Sequence, residues 1–333
     1  MSPATSTPTE PVSAQTAERF ATAVSEVRDN VTRVIKGKRA EIDLALVCLF
    51  AEGHLLVEDV PGVGKTQLAR AMATSIDASW HRIQFTPDLL PSDVTGVTIY
   101  QQHANAFEFH PGPVFGNVVV ADEINRASPR TQSALLEVME ERQVTVDGEP
   151  HPVPRPFMVI ATQNPIDMDG TYPLPEAQLD RFLMRMSMGY PDLAAELEIL
   201  DGQSATTPQD RLHAVLAVDD AAQMVRLVNL VHVGPEVREY LVRIVATTRE
   251  LPEVRLPVSP RGSVGLLRAA RSRALTRGRP FVTPDDVKEL AVSVLAHRIV
   301  LSPDAALAGR DAADVIERAI AAVPVPHDRS NGR

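Results

Sequence analysis

The pattern of apolar and polar positions divides the chain into a first part that alternates strands with helices and a second part that is helical. Short apolar runs occur in LLV, in NVVVADE and in FMVIATQNP, and apolar residues at helical spacing follow each of them. Runs of this kind are typical of parallel strands that are buried on both faces. The pattern therefore predicts an α/β sheet through about residue 190.

Two further segments alternate with period two on either side of a polar turn, and both predict β-hairpins. They are VTIYQQHANAFEFH and RQVTVDGEPHPV, the second of which turns at Asp147-Gly148. Between them, Ser128-Pro129 predicts the start of an amphipathic helix, because serine caps helix N-termini and proline fits the first helical position.

After about residue 192 the strand signals fade and helical spacing takes over, so we expect a helical domain. Two of its helices are expected to open at Ser259-Pro260 and Thr283-Pro284. A chain of 333 residues is also too long for one ordinary core. The sequence predicts four parts, which are a disordered Pro/Thr/Ser-rich tail (1–18), an α/β core (19–191), a helical domain (192–325) and a polar tail (326–333).

Composition and charge narrow the classes of function. No apolar run reaches the roughly 18 residues that a membrane helix needs, and the first residues lack the order of a signal peptide. We therefore expect a cytoplasmic protein without membrane insertion. The formal charge of −10 argues against nucleic acid as a partner, because sequence-independent binding to phosphates depends on Lys and Arg. The single cysteine, Cys48, excludes an internal disulfide and is expected to be buried.

The stretch LLVEDVPGVGKTQLA joins the first predicted strand to a helix through a glycine-rich loop. Its end matches a phosphate-binding loop, in which backbone N–H groups surround phosphates, a lysine reaches the terminal phosphates and a hydroxyl ligates Mg²⁺. Asp59 stands where that pattern begins with glycine, and we expect its side chain to point away from the phosphates. The alternative is a strand-to-helix turn with an incidental lysine. The residues that supply the loop are Pro61, Gly62, Gly64, Lys65 and Thr66.

Polar residues follow the other apolar runs, at the strand ends where open α/β sheets bind ligands. Asp122 and Glu123 end the second run, where an aspartate can hold Mg²⁺ and a glutamate can polarise the attacking water. A helix-capping acid is the alternative for this pair alone. Asn164 ends the third run and can bond a γ-phosphate. Arg181 and Arg261 are candidates for stabilising charge on the transferred phosphoryl group, although most arginines form surface ion pairs.

In this order and spacing, the segments resemble the MoxR-type AAA+ ATPases, which are relatives of the magnesium-chelatase ATPase subunit. The resemblance covers residues 30 to 300 and includes GHLLVEDVPGVGKTQLA, RIQFTPDLLPSDVTG, VIATQNPIDMDGTYPLPEAQLDRFLM and SPRGSVGLL. It implies an AAA+ P-loop NTPase core, with a parallel sheet sandwiched by helices, and a C-terminal helical lid. It also implies a homo-oligomeric ring, usually a hexamer, with ATP and Mg²⁺ at each subunit interface.

The resemblance assigns roles to individual residues. Thr66 and Asp122 resemble the Mg²⁺ ligands, and Glu123 resembles the catalytic glutamate. Asn164 is similar to sensor 1, Arg181 to the arginine finger that reaches a neighbouring subunit, and Arg261 to sensor 2 on the lid. The two hairpins resemble inserts that face the ring pore or partners. Residues that resemble the nucleotide-binding set are Gly37 and Lys38 beside the adenine, and Pro61, Gly62, Val63, Gly64, Lys65, Thr66 and Gln67 in the loop.

The resemblance implies a chaperone-like ATPase that remodels or matures protein clients, commonly ones with von Willebrand factor A domains. Three alternatives stay open: the ATPase subunit of a metal-chelatase-like complex, a nucleotide-bound scaffold without turnover, and a DNA motor. The DNA motor is disfavoured because YQQHANAF and RQVTVDGEPHPV carry one arginine between them.

Overall fold

The computed structural model describes residues 11–60, 62–103, 105–164, 171–201 and 212–326. The chain divides into two compact units, a core unit of residues 26–222 and a helical unit of residues 1–25 with 223–333. This division differs from the expected boundaries at 18/19 and 191/192. In the core unit, Gly37 packs closely against Ala195, which keeps the segment after residue 191 with the core. In the helical unit, Gly278 lies beside Ala21.

The expected disordered tail, residues 1–18, overlaps a helix that begins at Ala14. Residues 1–10 of that expected tail, and residues 327–333 of the expected C-terminal tail, lie outside the described residues.

The first five elements, in chain order, are α1 (Ala14–Thr32), α2 (Arg39–Phe50), β1 (Leu55–Glu58), α3 (Lys65–Ser75) and β2 (Trp80–Gln84).

The elements between residues 91 and 201 complete one parallel sheet and add two hairpins. They are α4 (Pro91–Thr95), β3 (Gly96–Gln101), β4 (Ala106–Pro111), β5 (Val118–Asp122), α5 (Pro129–Glu141), β6 (Gln143–Val146), β7 (Glu149–Pro152), β8 (Met158–Gln163), α6 (Glu176–Leu179), β9 (Met184–Met186) and α7 (Leu193–Asp201).

Five strands form the sheet in the order β2-β5-β8-β1-β9, and every pairing is parallel. All five residues of β5 and the first five of β8 are buried, as expected of strands covered on both faces. The register places Glu58 opposite Gln163 and Gln84 opposite Asp122. The carboxyl ends of four strands therefore lie along one edge, which confirms the predicted α/β architecture and positions the polar residues that follow the strands.

Both predicted hairpins are confirmed, as the antiparallel pairs β3–β4 and β6–β7. Phe109 of the first hairpin stacks on His151 of the second, with ring centroids 4.1 Å apart. The predicted helix after the second apolar run is α5, and the backbone N–H of Thr131 donates to its N-cap Ser128. Cys48 is fully buried in α2, as expected.

The helical unit contains α9 (Pro235–Thr247), α10 (Pro260–Thr276), α11 (Pro284–Leu295), α12 (Pro303–Leu307) and α13 (Ala312–Ala322), while α1 and α8 (Val218–Val228) each contribute residues to both units. The starts of α10 and α11 confirm the two predicted N-termini. A two-stranded antiparallel sheet, β10 (Val254–Leu256) with β11 (Val300–Leu301), was not predicted. Its strands are too short to show alternation. Among the described residues, the helices include none that is long and apolar enough to span a bilayer.

Candidate active site

The loop after β1 turns through glycines whose backbones other residues would adopt only with strain. Gly62 and Gly64 both have φ of +89°, and Gly64 is the N-cap of α3. A Cβ atom placed on Gly62 would meet nothing within 4 Å, so open space lies over the loop. Because the first N–H groups of a helix lack intrahelical acceptors, the start of α3 is suited to bind an anion.

Lys65 is the charged group of this loop. Its Nζ donates to the backbone carbonyl of Asp59 at 2.8 Å. Burial lowers the pKa of Lys65, against the opposing effect of the carboxylates of Asp59, Asp122 and Glu123. A partly desolvated ammonium is stabilised by nearby negative charge, so Lys65 is suited to contact a bound phosphate.

Asp122 ends β5 and is buried. Its Oδ2 accepts a hydrogen bond from the hydroxyl of Thr66 at 3.1 Å and one from Nε of Arg82 at 2.6 Å. Its Oδ1 accepts from the hydroxyl of Thr162 at 3.2 Å. The carboxylate of Asp122 therefore lies beside the Thr66 hydroxyl. One carboxylate and one hydroxyl fit Mg²⁺, which prefers oxygen ligands and usually keeps several waters.

Glu123 follows immediately, in the left-handed region with φ of 55°. Its backbone N–H donates to the Thr162 hydroxyl at 2.9 Å. Its Oε2 accepts from Nε2 of Gln84 at 3.0 Å and lies 3.3 Å from Nε of Arg126. The backbone turn and these donors fix the direction in which the carboxylate points.

These groups surround one cavity of about 320 Å³, which we name the phosphate cavity. Residues of the loop and helix that follow β1 meet there with side chains at the ends of β2, β5 and β8, although these segments are far apart in the sequence. The lining residues are Gly62, Gly64, Lys65, Thr66, Gln67, Arg82, Gln84, Asp122, Glu123, Thr162 and Asn164.

A second cavity, of about 490 Å³, is lined in part by the same loop. We name it the base cavity. Gly62, Gly64 and Gln67 line both cavities, so the two adjoin. Lys38 lines the base cavity and its Nζ donates to the carbonyl of Tyr190 at 2.9 Å. The other lining residues are Arg33, Val34, Ile35, Lys36, Val63, Pro191, Glu198, Ile199 and Asp201.

Lys65 donates to the backbone carbonyl of Asp59, whereas the side chain of Asp59 bonds to a segment after β9. Its Oδ2 accepts from the Ser187 hydroxyl at 3.0 Å and from the N–H groups of Met188 and Gly189 at 2.7 and 2.6 Å. Burial alone would raise the pKa of Asp59, but these hydrogen bonds, with one from the N–H of Val60, lower it. The aspartate therefore has a bonding role that the glycine of the usual pattern does not have.

Among the residues that the structure describes, three of the expected site residues line neither cavity. Gly37, with φ of +69°, packs against Ala195. Arg181 follows α6 and its Nε donates to Glu140 at 2.9 Å. Arg261 is exposed at the start of α10 in the helical unit. Pro61 lies outside the described residues.

Sequence reasoning missed three residues of the phosphate cavity, Arg82, Gln84 and Thr162. The first two flank buried Ile83 in β2, so they lie on one face of that strand. Their signal was a pair of polar residues spaced two apart beside an apolar one. Thr162 is a buried hydroxyl within an otherwise apolar strand, and only the strand pairing shows that it contacts Asp122.

Comparison with known proteins identifies the family. Residues 54–184 match the family model "ATPase family associated with various cellular activities (AAA)", and residues 246–319 match the AAA lid domain. The chain is 43% identical over 306 residues to Chaperone MoxR1 of Mycobacterium tuberculosis, covering 89% of this chain and 80% of that protein. The chain belongs to the MoxR family of AAA ATPases.

Other members of the family and its relatives are also similar. Protein YeaC of Bacillus subtilis is 52% identical over 302 residues, which cover 91% of this chain and 94% of YeaC. A crystal structure of a provisionally assigned ATPase from Cytophaga hutchinsonii has 37% identity and a TM-score of 0.87, and the match covers 93% of this chain and 97% of that one. The magnesium-chelatase 38 kDa subunit of Acidiphilium rubrum is a more distant relative, 31% identical over 210 residues, covering 61% of this chain and 57% of that subunit.

Proposed function

We propose that this MoxR-family protein binds ATP with Mg²⁺ in the two adjoining cavities, hydrolyses it, and uses the cycle to remodel a protein client. The observation that supports the proposal most strongly is the phosphate cavity itself. It brings Lys65, the Thr66–Asp122 pair, Glu123 and Asn164 around one space beside an anion-binding helix N-terminus. Each group has the chemical type that phosphoryl transfer needs.

The residues divide the work as follows. Lys65 and the N–H groups at the start of α3 bind the phosphates. Thr66 and Asp122 would hold Mg²⁺, which would supply positive charge to the phosphate oxygens. Glu123 orients the attacking water and accepts its proton, and Gln84 holds the carboxylate of Glu123 in place. Asn164, which follows β8, donates a hydrogen bond to the γ-phosphate.

Coupling to a client requires groups that respond to loss of the γ-phosphate. Arg261 on the helical unit and Arg181, reaching a neighbouring subunit in a ring, are proposed for this role. The named chaperone among the relatives supports a protein client. A hexameric ring and clients with von Willebrand factor A domains rest on the family resemblance. Movement of the two hairpins, which stack through Phe109 and His151, would transmit the change.

The test is the variant Glu123→Gln, which keeps the shape and the hydrogen bond from Gln84 but cannot accept a proton. We expect ATP to bind with nearly unchanged affinity in calorimetric titration, while kcat falls by about 10³ or more. Glu141→Gln is the matched control, because Glu141 is an exposed acid at the end of α5. It should leave both quantities unchanged.

Comparable hydrolysis by Glu123→Gln would refute the role of Glu123. A wild-type protein that binds ATP tightly but shows no turnover at any protein concentration would instead support the nucleotide-bound scaffold. If a ring completes the site, specific activity should rise with protein concentration until assembly saturates.

A further inference from the structure

The carboxylate of Asp59 joins two segments that are distant in the sequence. Asp59 begins the phosphate loop, and its Oδ2 accepts three hydrogen bonds from residues 187–189. These residues open the connection between β9 and α7, residues 187–192, which we name the strap. Hydrogen bonds to an ionised acceptor are shorter and stronger than neutral ones. The start of the phosphate loop and the strap are therefore held together firmly.

The strap leads directly into one wall of the base cavity. Pro191 of the strap lines the cavity, and Glu198, Ile199 and Asp201 of α7 form the rest of this wall. Two lysines before α2 also contact this wall. Nζ of Lys38 donates to the carbonyl of Tyr190 at 2.9 Å, and Lys36 lies 3.3 Å from Glu198. Lys36 and Lys38 tie the wall to the segment before α2, whereas Asp59 ties it to the phosphate loop.

The bonding pattern explains why an acid stands here in place of glycine. The φ of Asp59 lies outside the left-handed region, so the backbone does not require glycine. The second oxygen, Oδ1, accepts from the N–H of Val60 at 2.9 Å, so both oxygens are used. The hydrogen bonds lower the pKa of Asp59 despite its burial, which agrees with an ionised acceptor at neutral pH.

We propose that Asp59 is a positioning residue that couples the phosphate loop to the wall of the base cavity and so sets the affinity for the nucleoside part of the nucleotide. This rests on the proposed function of the two cavities. Among the described residues, Asp59 is not part of the lining of either cavity. It acts through the strap, which holds α7 at the distance from the loop that the nucleoside requires.

The deciding variant is Asp59→Gly, which restores the usual phosphate-loop pattern yet removes all four hydrogen bonds. We expect the Kd for ADP to rise about tenfold, while the Kd for tripolyphosphate, which has no nucleoside, changes by less than about twofold. In steady-state assays KM for ATP should rise and kcat should stay nearly constant.

Two further variants test the same link by other routes. Asp59→Asn keeps an oxygen for the strap but sets an amide group against the N–H of Val60, so it should recover part of the ADP affinity. Ser187→Ala removes one of the three strap donors without altering the phosphate loop. It should give the same ADP-specific loss at about two- to threefold, and it remains informative if Asp59→Gly folds poorly.

Glu58→Ala is the matched control. Glu58 is the preceding acid, and it joins β1 to β9 through Arg185 at 3.1 Å without contacting the strap residues 187–189. It should leave the Kd for ADP within about twofold of wild type.

Unchanged ADP affinity in Asp59→Gly and Ser187→Ala would overturn the proposal. Equal losses for ADP and tripolyphosphate would also overturn it, because they would place the effect in the phosphate loop itself. If wild-type protein binds neither ligand, the proposed function fails and the coupling falls with it. That outcome is distinct, since a failure of the coupling alone leaves wild-type binding intact.

Discussion

The phosphate cavity and the base cavity adjoin, but they are built differently. The phosphate cavity is lined by the loop and helix start that follow β1 and by side chains at the ends of β2, β5 and β8, whose shared edge follows from parallel pairing. The base cavity is lined by the segment before α2, the loop and α7, which come together only through tertiary packing. The sheet positions the reactive side chains of the phosphate cavity. The shape of the base cavity depends on long-range hydrogen bonds such as those of Asp59 and Lys38.

The largest expected effect on nucleotide affinity comes from removing the charge of the phosphate cavity. Lys65→Met should weaken ATP binding by about 10² or more, because the ammonium is lost where phosphate charge is expected. The thermal midpoint without nucleotide should not fall, since burial already disfavours the charged form of Lys65. Calorimetric titration and thermal unfolding measure the two quantities.

Lys36→Met is the matched control in the base cavity, where Lys36 pairs with Glu198 and both side chains are partly exposed. It should weaken ATP binding only a few-fold, as expected of an exposed ion pair. Equal losses in the two variants would show that the two cavities do not divide phosphate and base binding between them.

A large effect on kcat is expected at a residue that lines neither cavity of its own chain. If Arg181 completes the phosphate cavity of a neighbour, Arg181→Ala should lower kcat by about 10³ without changing ADP affinity. Glu140→Ala breaks the same ion pair and should leave kcat nearly unchanged. Mixing Arg181→Ala with Lys65→Met subunits should restore some activity. Similar kcat losses in both single variants would instead assign Arg181 to structure.

Adding a side-chain atom next to α7, which lines the base cavity, should change KM for ATP. Gly37→Ala strains a backbone with φ of +69° and places a Cβ 2.8 Å from the Cβ of Ala195, so α7 must shift. We expect KM for ATP to rise about tenfold with kcat nearly constant. Gly309→Ala has a similar φ of +70° with nothing within 4 Å, so it should lose comparable stability without changing KM. A fall in kcat for Gly37→Ala would contradict the division between the cavities.

The smallest effect is a pH dependence of stability. Because the pKa of Asp59 is lowered in the folded state, its ionised form contributes stability that is fully present above its ordinary value of 3.8. The contribution is lost as the pH falls through the folded-state pKa. The difference in unfolding free energy between wild type and Asp59→Asn should therefore be constant near neutral pH and shrink below about pH 4. Denaturant titrations that show a constant difference into acid would contradict an ionised Asp59.

The sequence predicts the locally encoded parts of the site better than the contacts that depend on strand pairing. The strand ends and the residues after them were predictable, because short apolar runs and the glycine-rich loop mark them directly. Arg82 and Thr162 were missed, since each contacts Asp122 only through a strand pairing that no local pattern encodes. The partners of Asp59 were also missed. The sequence predicted only that its side chain points away from the phosphates. Residues 187–189 lie far along the chain, and the pairing of β1 with β9 brings them close.

The helical part shows the same limit. Capping residues predicted the starts of α10 and α11, because capping is local. The limits of the two compact units were not predictable from helical spacing, since α7 belongs with the core unit through contacts such as that between Gly37 and Ala195.

The most direct test of the central claim is a crystal structure of Glu123→Gln with ATP and Mg²⁺. We expect the triphosphate in the phosphate cavity, within hydrogen-bonding distance of Nζ of Lys65, with the metal between Thr66 and Asp122 and the base against the wall formed by α7. A triphosphate bound elsewhere, or one that contacts the glycine loop while Asp122 and the residue at position 123 face a separate space, would contradict the account.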